Sequence, residues 1–116
     1  MAADVEFAID RQPTHTVIEV SGYLDVSTSP RLREQIHALA EEGPKVLIID
    51  LGPIEFIDSS ALGVILNGWK LLNAEGATLA VVSPQPRITK VFEITAINLS
   101  IRLFPSMDEA VEQLTG

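Results

Sequence analysis

Two uninterrupted aliphatic runs, VLIID at 46–50 and TLAVV at 78–82, flank a long segment of helical period. A strand without polar alternation has no face to offer water, so each run belongs inside a sheet that is covered on both sides. Between them Ala61, Leu62, Ile65, Leu66, Trp69 and Leu72 gather on one side of a helix that runs from about Ser59 to Glu75 and stops at Gly76. Strand, helix and strand in this order predict an α/β chain with parallel crossovers, and exclude all-α and all-β architectures.

The flanks extend this pattern. Val5, Phe7 and Ile9 alternate with polar or small neighbours, as do Ile18 and Val20, which predicts an opening antiparallel pair of half-solvated strands. Ser29 followed by Pro30 reads as an N-cap and first helical residue, and Leu32, Ile36, Leu39 and Ala40 continue as one apolar stripe to Gly43 and Pro44. Ser83 and Pro84 repeat that cap signature ahead of Ile88, Val91 and Phe92. A short strand near Ile101 to Phe104 leads into a last helix, where Ser106 and Glu109 form a capping box ahead of Ala110, Val111 and Leu114. With 116 residues and no repeat, linker or low-complexity tract, residues 1–116 read as one α/β unit.

Several functions lack their chemical material. There is no cysteine, so no disulfide, thiol nucleophile or thiolate-held metal is available. The only histidines, His15 and His37, read as surface residues with no metal spacing, and no cofactor is expected. No nucleophile elbow, P-loop or dinucleotide glycine motif occurs, and a Ser-His-Asp triad has no suitable base. Asp50 and Asp58 suggest a phosphoaspartate receiver, but the first strand ends in Asp10-Arg11 and the last reads IRLFP, without the acidic cluster and lysine which that chemistry uses.

Eight scattered basic residues against sixteen acidic ones give a net charge of −8, which speaks against nucleic acid as a direct partner. The start, MAADVEFAID, carries acid where a secretory leader has base, and no stretch has the roughly 20 apolar residues of a membrane span. A cytoplasmic protein with no membrane partner is therefore expected.

One segment carries specific information. In LGPIEFIDSSALG, Asp58, Ser59 and Ser60 fall where a strand hands over to a helix N-terminus. Asp58 or Ser59 as N-cap accounts for such residues without further function. A serine hydroxyl there is also a candidate modification site, because free amides and the helix dipole favour an added phosphate. At about 100° per residue, Ser59, Gly63, Asn67, Lys70 and Ala74 fall opposite the apolar stripe, with Val64 and Leu71 on the shoulder. This face is smooth and small where a solvated one is ordinarily rich in Glu and Lys, and it includes a glycine despite a cost of about 1 kcal/mol in a helix. Such a face suits a docking partner. Gly63 and Gly68 could instead relieve packing against a neighbour, a reading that fits Gly68 better than Gly63.

GYLD at 22–25, VLIIDLGPIEFIDSSALGVIL at 46–66, VVSPQPRITKVFEIT at 81–95 and LFPSMDEAV at 103–111 resemble a bacterial STAS domain of the anti-sigma-factor antagonist type. The resemblance runs through nearly the whole chain and implies a STAS-like α/β fold, with a mixed sheet of about five strands and about four helices mainly on one face. It implies no enzyme activity and a partner-switching role in transcription regulation. In that scheme the unphosphorylated protein binds an anti-sigma factor with serine-kinase activity and frees the sigma factor; phosphorylation ends the complex, and a phosphatase restores it. Carried over by position, Ser59 is the phosphorylation site and Ser60 the lesser candidate. Asp58 is the acid before it, and Asp25 of GYLD an acid on the neighbouring loop that engages the kinase. Gly63, Val64 and Asn67 belong to the docking face, while Ala61 stands where the motif often has glycine.

The alternative is a STAS scaffold or regulatory subunit of a stress-signalling or lipid-transport complex, with no serine switch. An enzyme using Asp58 and Ser59 lacks a base. Monomer and homodimer are both open, as are the sigma factor and the stimulus.

Overall fold

The computed structural model describes residues 4–95 and 100–116. Its centre is a six-stranded mixed sheet of β1 (Val5–Arg11), β2 (Thr16–Leu24), β3 (Val46–Asp50), β4 (Ile54–Ile57), β5 (Thr78–Val82) and β6 (Arg102–Phe104). The order is β1-β2-β3-β5-β6, with β4 paired to β2 beyond the end of β3. Only β1 and β2 are antiparallel; the other pairings are parallel, as the crossovers predict.

Helices α1 (Ser29–Glu41), α2 (Ser59–Ala74) and α3 (Pro86–Ile94) share one face of the sheet, and α4 (Met107–Thr115) takes the other. The pleat sorts the side chains between them. Ile18, Val20, Leu47, Ile49, Leu79 and Val81 point toward α1 to α3, where Leu32, Ile36, Leu62, Ile65 and Phe92 meet them. Val17, Val46, Ile48, Ala80, Val82 and Phe104 point toward Ala110, Val111 and Leu114 of α4. Both faces of β3 and β5 are thus dry, which is why VLIID and TLAVV carry no alternation.

The sheet has six strands where the sequence predicts about five. The added one, β4, is invisible to a period-two reading. Ile54 and Ile57 are three residues apart, yet both point into the helix-side core, because β4 pairs with β2 through a register shift between Gly22 and Tyr23. One extra residue in a strand turns the later side chains over, and alternation across it is lost.

Two helix starts also move. The N-cap of α1 is Thr28, and Ser29 is the first helical residue, its hydroxyl donating back to the Asp25 carbonyl at 2.6 Å. The N-cap of α3 is Gln85, with Pro86 opening the helix. Ser83 lies just past the end of β5, its amide bonded to the Phe104 carbonyl, since a residue before proline is biased away from the α region. Ser106 caps α4 as predicted, accepting from the Glu109 amide at 3.2 Å.

Gly63 and Gly68, both in α2, separate cleanly. A Cβ on Gly68 would stand 2.8 Å from Ile36 Cγ2 and 3.3 Å from Leu79 Cδ1, so this glycine lets α2 lie close against α1 and β5. A Cβ on Gly63 would meet nothing within 4 Å. Thermal denaturation should therefore give opposite signs. Gly63→Ala raises stability by up to about 1 kcal/mol through helix propensity alone. Gly68→Ala lowers it by about 1 kcal/mol, because overpacking against a stiff β-branched side chain outweighs that gain.

Candidate functional site

The parallel pairing of β2 with β4 builds the site. Leu24 and Ile57 are register partners, so the residues that follow, Asp25 and Asp58, emerge side by side at the ends of the two strands. The Asp58 amide donates to the Leu24 carbonyl at 3.1 Å and fixes that junction. From Asp25 the chain turns into α1, and from Asp58 directly into α2. Two helix N-termini thereby converge on one edge.

Asp58 is the N-cap of α2. Its carboxylate accepts from the Ser60 amide at 2.9 Å and also from the Ser60 hydroxyl. The Ser60 oxygen lies 3.2 Å from Ser29 Oγ. Each hydroxyl has a single proton, and with Ser60 donating to Asp58 and Ser29 donating to the Asp25 carbonyl, neither is left to join the two oxygens. Ser60 is thus half-buried and held between the two helix starts, and Ser29 is buried beside it.

Ser59 differs in each respect. It is exposed, it occupies the first position of α2, and its hydroxyl bonds to no described residue. Of the two candidate acceptors, Ser59 alone has a hydroxyl that a kinase can reach and reorient without breaking an internal bond. An added phosphate there would sit over a helix N-terminus, whose remaining amides and dipole attract it.

Asp25 is engaged locally. Its Oδ1 accepts from the Ser27 hydroxyl at 2.7 Å, the Ser27 amide at 2.9 Å and the Thr28 amide at 3.1 Å. The hydrogen bond from the Ser27 hydroxyl is the main cause that holds its carboxyl below the usual range, and the two backbone amides add to it. A lowered carboxyl stabilises the loop at every pH above the ordinary carboxylate range and loses that contribution only as the pH falls through its own lower value.

The face that helical spacing predicts is the one solvent meets. Ser59, Gly63, Asn67, Lys70 and Ala74 are all exposed, and Val64 and Leu71 are half-buried. On the opposite side Ala61, Leu62, Ile65 and Leu72 are buried, joined by Gly68, which the apolar stripe omits because a glycine carries no hydropathy signal. Apolar exposure near the site also went unread. Tyr23 and Phe56 are register partners with rings stacked at 6.1 Å, 37% and 43% exposed, and Val26 beside Asp25 is 76% exposed. The available sequence signal for the two rings was the placement of Tyr23 and Phe56 two residues ahead of Asp25 and Asp58.

With Asp58 as the cap, the two adjacent residues separate in stability. Asp58→Ala should cost about 1 kcal/mol in urea denaturation, whereas Ser59→Ala should change stability by less than about 0.5 kcal/mol.

Among the described residues no group of three metal-ligating side chains exists, and no helix is long and apolar enough to cross a membrane. A mixed α/β sheet with a capped, serine-bearing helix start at its strand ends defines the class, and the STAS domain family matches residues 6–110. The chain belongs to the STAS domain family. It is 31% identical over 100 residues to the anti-sigma F factor antagonist of Paenibacillus polymyxa, covering 85% of this chain and 83% of that one. It is also 31% identical over 80 residues to the anti-sigma-B factor antagonist of Staphylococcus aureus, covering 69% and 74%. Among solved structures, an anti-sigma factor antagonist from Mycobacterium paratuberculosis superposes with a TM-score of 0.89 at 26% identity, covering 97% of this chain and 95% of that one. The unphosphorylated form of the antagonist SpoIIAA has the same fold, with a TM-score of 0.78 at 22% identity over 93% and 95%.

Proposed function

We propose that this chain is a phosphorylation-controlled anti-sigma factor antagonist, acting in the cytoplasm as one STAS domain and by binding rather than turnover. The unphosphorylated form docks an anti-sigma factor that is also a serine kinase, through Asp25, Asp58, Ser59, Ser60, Gly63, Val64 and Asn67, and so frees the sigma factor. The kinase transfers phosphate to Ser59, the complex dissociates, and a phosphatase resets the chain.

The observation that carries this reading is the contrast at the start of α2. Ser59 has an exposed, unbonded hydroxyl and Ser60 an engaged one, and one turn on, Gly63 is smooth with no internal contact to explain it. The antagonist relatives from Paenibacillus and Staphylococcus support the partner class. A phosphate adds about −1.5 to −2 charge beside Asp58 and Asp25. Desolvating that charge against a docked partner weakens the complex without any change of fold.

The test is capture from native lysate with wild type, Ser59→Ala and Ser59→Asp, with the retained proteins identified by mass spectrometry. Retention of an ATP-binding anti-sigma factor by wild type and the alanine variant, and its loss with aspartate, is the expected result. Retention of one non-kinase assembly by all three would remove the switch from Ser59 and leave a scaffold subunit as the function.

A further inference from the structure

The sheet face opposite α1 to α3 is covered only in part. Helix α4 lies over Val17, Val46, Ile48, Ala80, Val82 and Phe104, and among the described residues no helix packs over the part of the face formed by β1, β4 and the C-terminal end of β2. In that open part the stacked rings of Tyr23 and Phe56 stand at the ends of β2 and β4, next to the strand ends that carry Asp25 and Asp58. Neither ring belongs to the core, and both remain more than a third exposed. Large aromatic area left in water next to a binding edge marks a contact surface.

The charged residues that line the surface beside the rings are acidic. Beside the rings lies a shallow depression of about 280 Å³ lined by Asp4, Glu6, Ser21, Gly22, Pro53 and Glu55, with no cation in its wall. Asp4 is bridged by Arg31, while Glu6 and Glu55 have no ion-pair partner among the described residues. Arg87, which also reaches β4, donates to the Ile54 carbonyl. Aromatic faces flanked by unpaired carboxylates select arginine over lysine, because a guanidinium can stack on a ring while its edge meets a carboxylate as a fork.

We infer that the docking surface extends from the Ser59 edge onto the Tyr23–Phe56 pair and the Glu6–Glu55 depression, and that it receives an arginine-bearing surface of the same kinase anti-sigma factor. This rests on the function proposed above and adds the chemistry of the contact. The helix face supplies the switch, and the aromatic and acidic patch supplies affinity and choice of partner.

The test uses the anti-sigma factor recovered in the capture experiment, purified and titrated with the full chain at low and high salt. Tyr23→Ser with Phe56→Ser should weaken binding about 10- to 30-fold at both salt concentrations, and Tyr23→Phe should retain it. Glu55→Lys, an exposed change that leaves the rings in place, should weaken binding about 5-fold at low salt and less at high salt. Equal affinity of wild type and all variants for a kinase that still phosphorylates Ser59 would overturn the extended surface and leave the proposed function standing. A purified anti-sigma factor that neither binds nor phosphorylates wild type would overturn the proposed function, and this surface with it.

Discussion

Ser59→Asp is expected to weaken the complex with the kinase anti-sigma factor by about a hundredfold, or about 3 kcal/mol, whereas Ser59→Ala stays within a few-fold of wild type. The sign does not come from folding. Ser59 is the first residue of α2 and Asp58 is its cap, so a carboxylate at position 59 adds favourably to the helix dipole by about 0.3–1 kcal/mol. The aspartate variant should therefore melt at or slightly above the wild-type temperature while losing its partner. What changes is the interface, where a new anion joins Asp58 and Asp25, neither of which has an ion-pair partner among the described residues. Isothermal titration with both variants checks the separation. A parallel loss of stability and affinity would point instead to a damaged helix.

Gly22→Ala is expected to cost about 3 kcal/mol, the largest stability loss of any single change considered, and to lower the melting temperature by roughly 10 °C. Gly22 has φ +92°, in the region that disfavours any residue with a Cβ. A Cβ there would also stand 2.2 Å from the Asp4 carbonyl oxygen and 3.3 Å from Val5 Cα, both backbone. No rotamer relieves a clash with a strand. Relief would require β1 to pull away at the Val5 and Gly22 pairing, breaking the hydrogen bond that the Tyr23 amide donates to the Asp4 carbonyl and the Asp4 bridge to Arg31. Because Gly22 leads directly into Tyr23, Leu24 and Asp25, the same displacement reaches the loop beside Ser59, and binding should fall with stability. Thermal denaturation and titration of this one variant measure both.

The sequence exposes those features whose physics is local. VLIID and TLAVV declare two-sided burial, α2 declares its limits and its solvent face, and Ser106 declares a cap. What stays hidden depends on partners distant in the chain. Strand β4 is masked by the bulge that puts Ile54 and Ile57 on one face. Ser29 and Ser83 look alike beside their prolines, yet one bonds back to Asp25 and the other follows the end of β5 and donates its amide to Phe104. At the site the motif names Asp58, Ser59 and Ser60 together, but which hydroxyl is free emerges only from the direction each takes at the helix start, Ser60 turning back onto the Asp58 carboxylate and Ser59 outward to solvent. Glycine is equally silent, since Gly63 and Gly68 read alike until Ile36 and Leu79 are seen beside one of them.

The central claim is that Ser59 is the switch. Its most direct test is phosphate transfer, with the purified chain incubated with the recovered anti-sigma factor and ATP, and the modified residue located by fragmentation mass spectrometry alongside Ser59→Ala and Ser60→Ala. The account predicts one phosphate on Ser59, unchanged by Ser60→Ala and abolished by Ser59→Ala, with the modified chain no longer bound. Phosphate on Ser60, or a phosphorylated chain that still holds its partner, would contradict it.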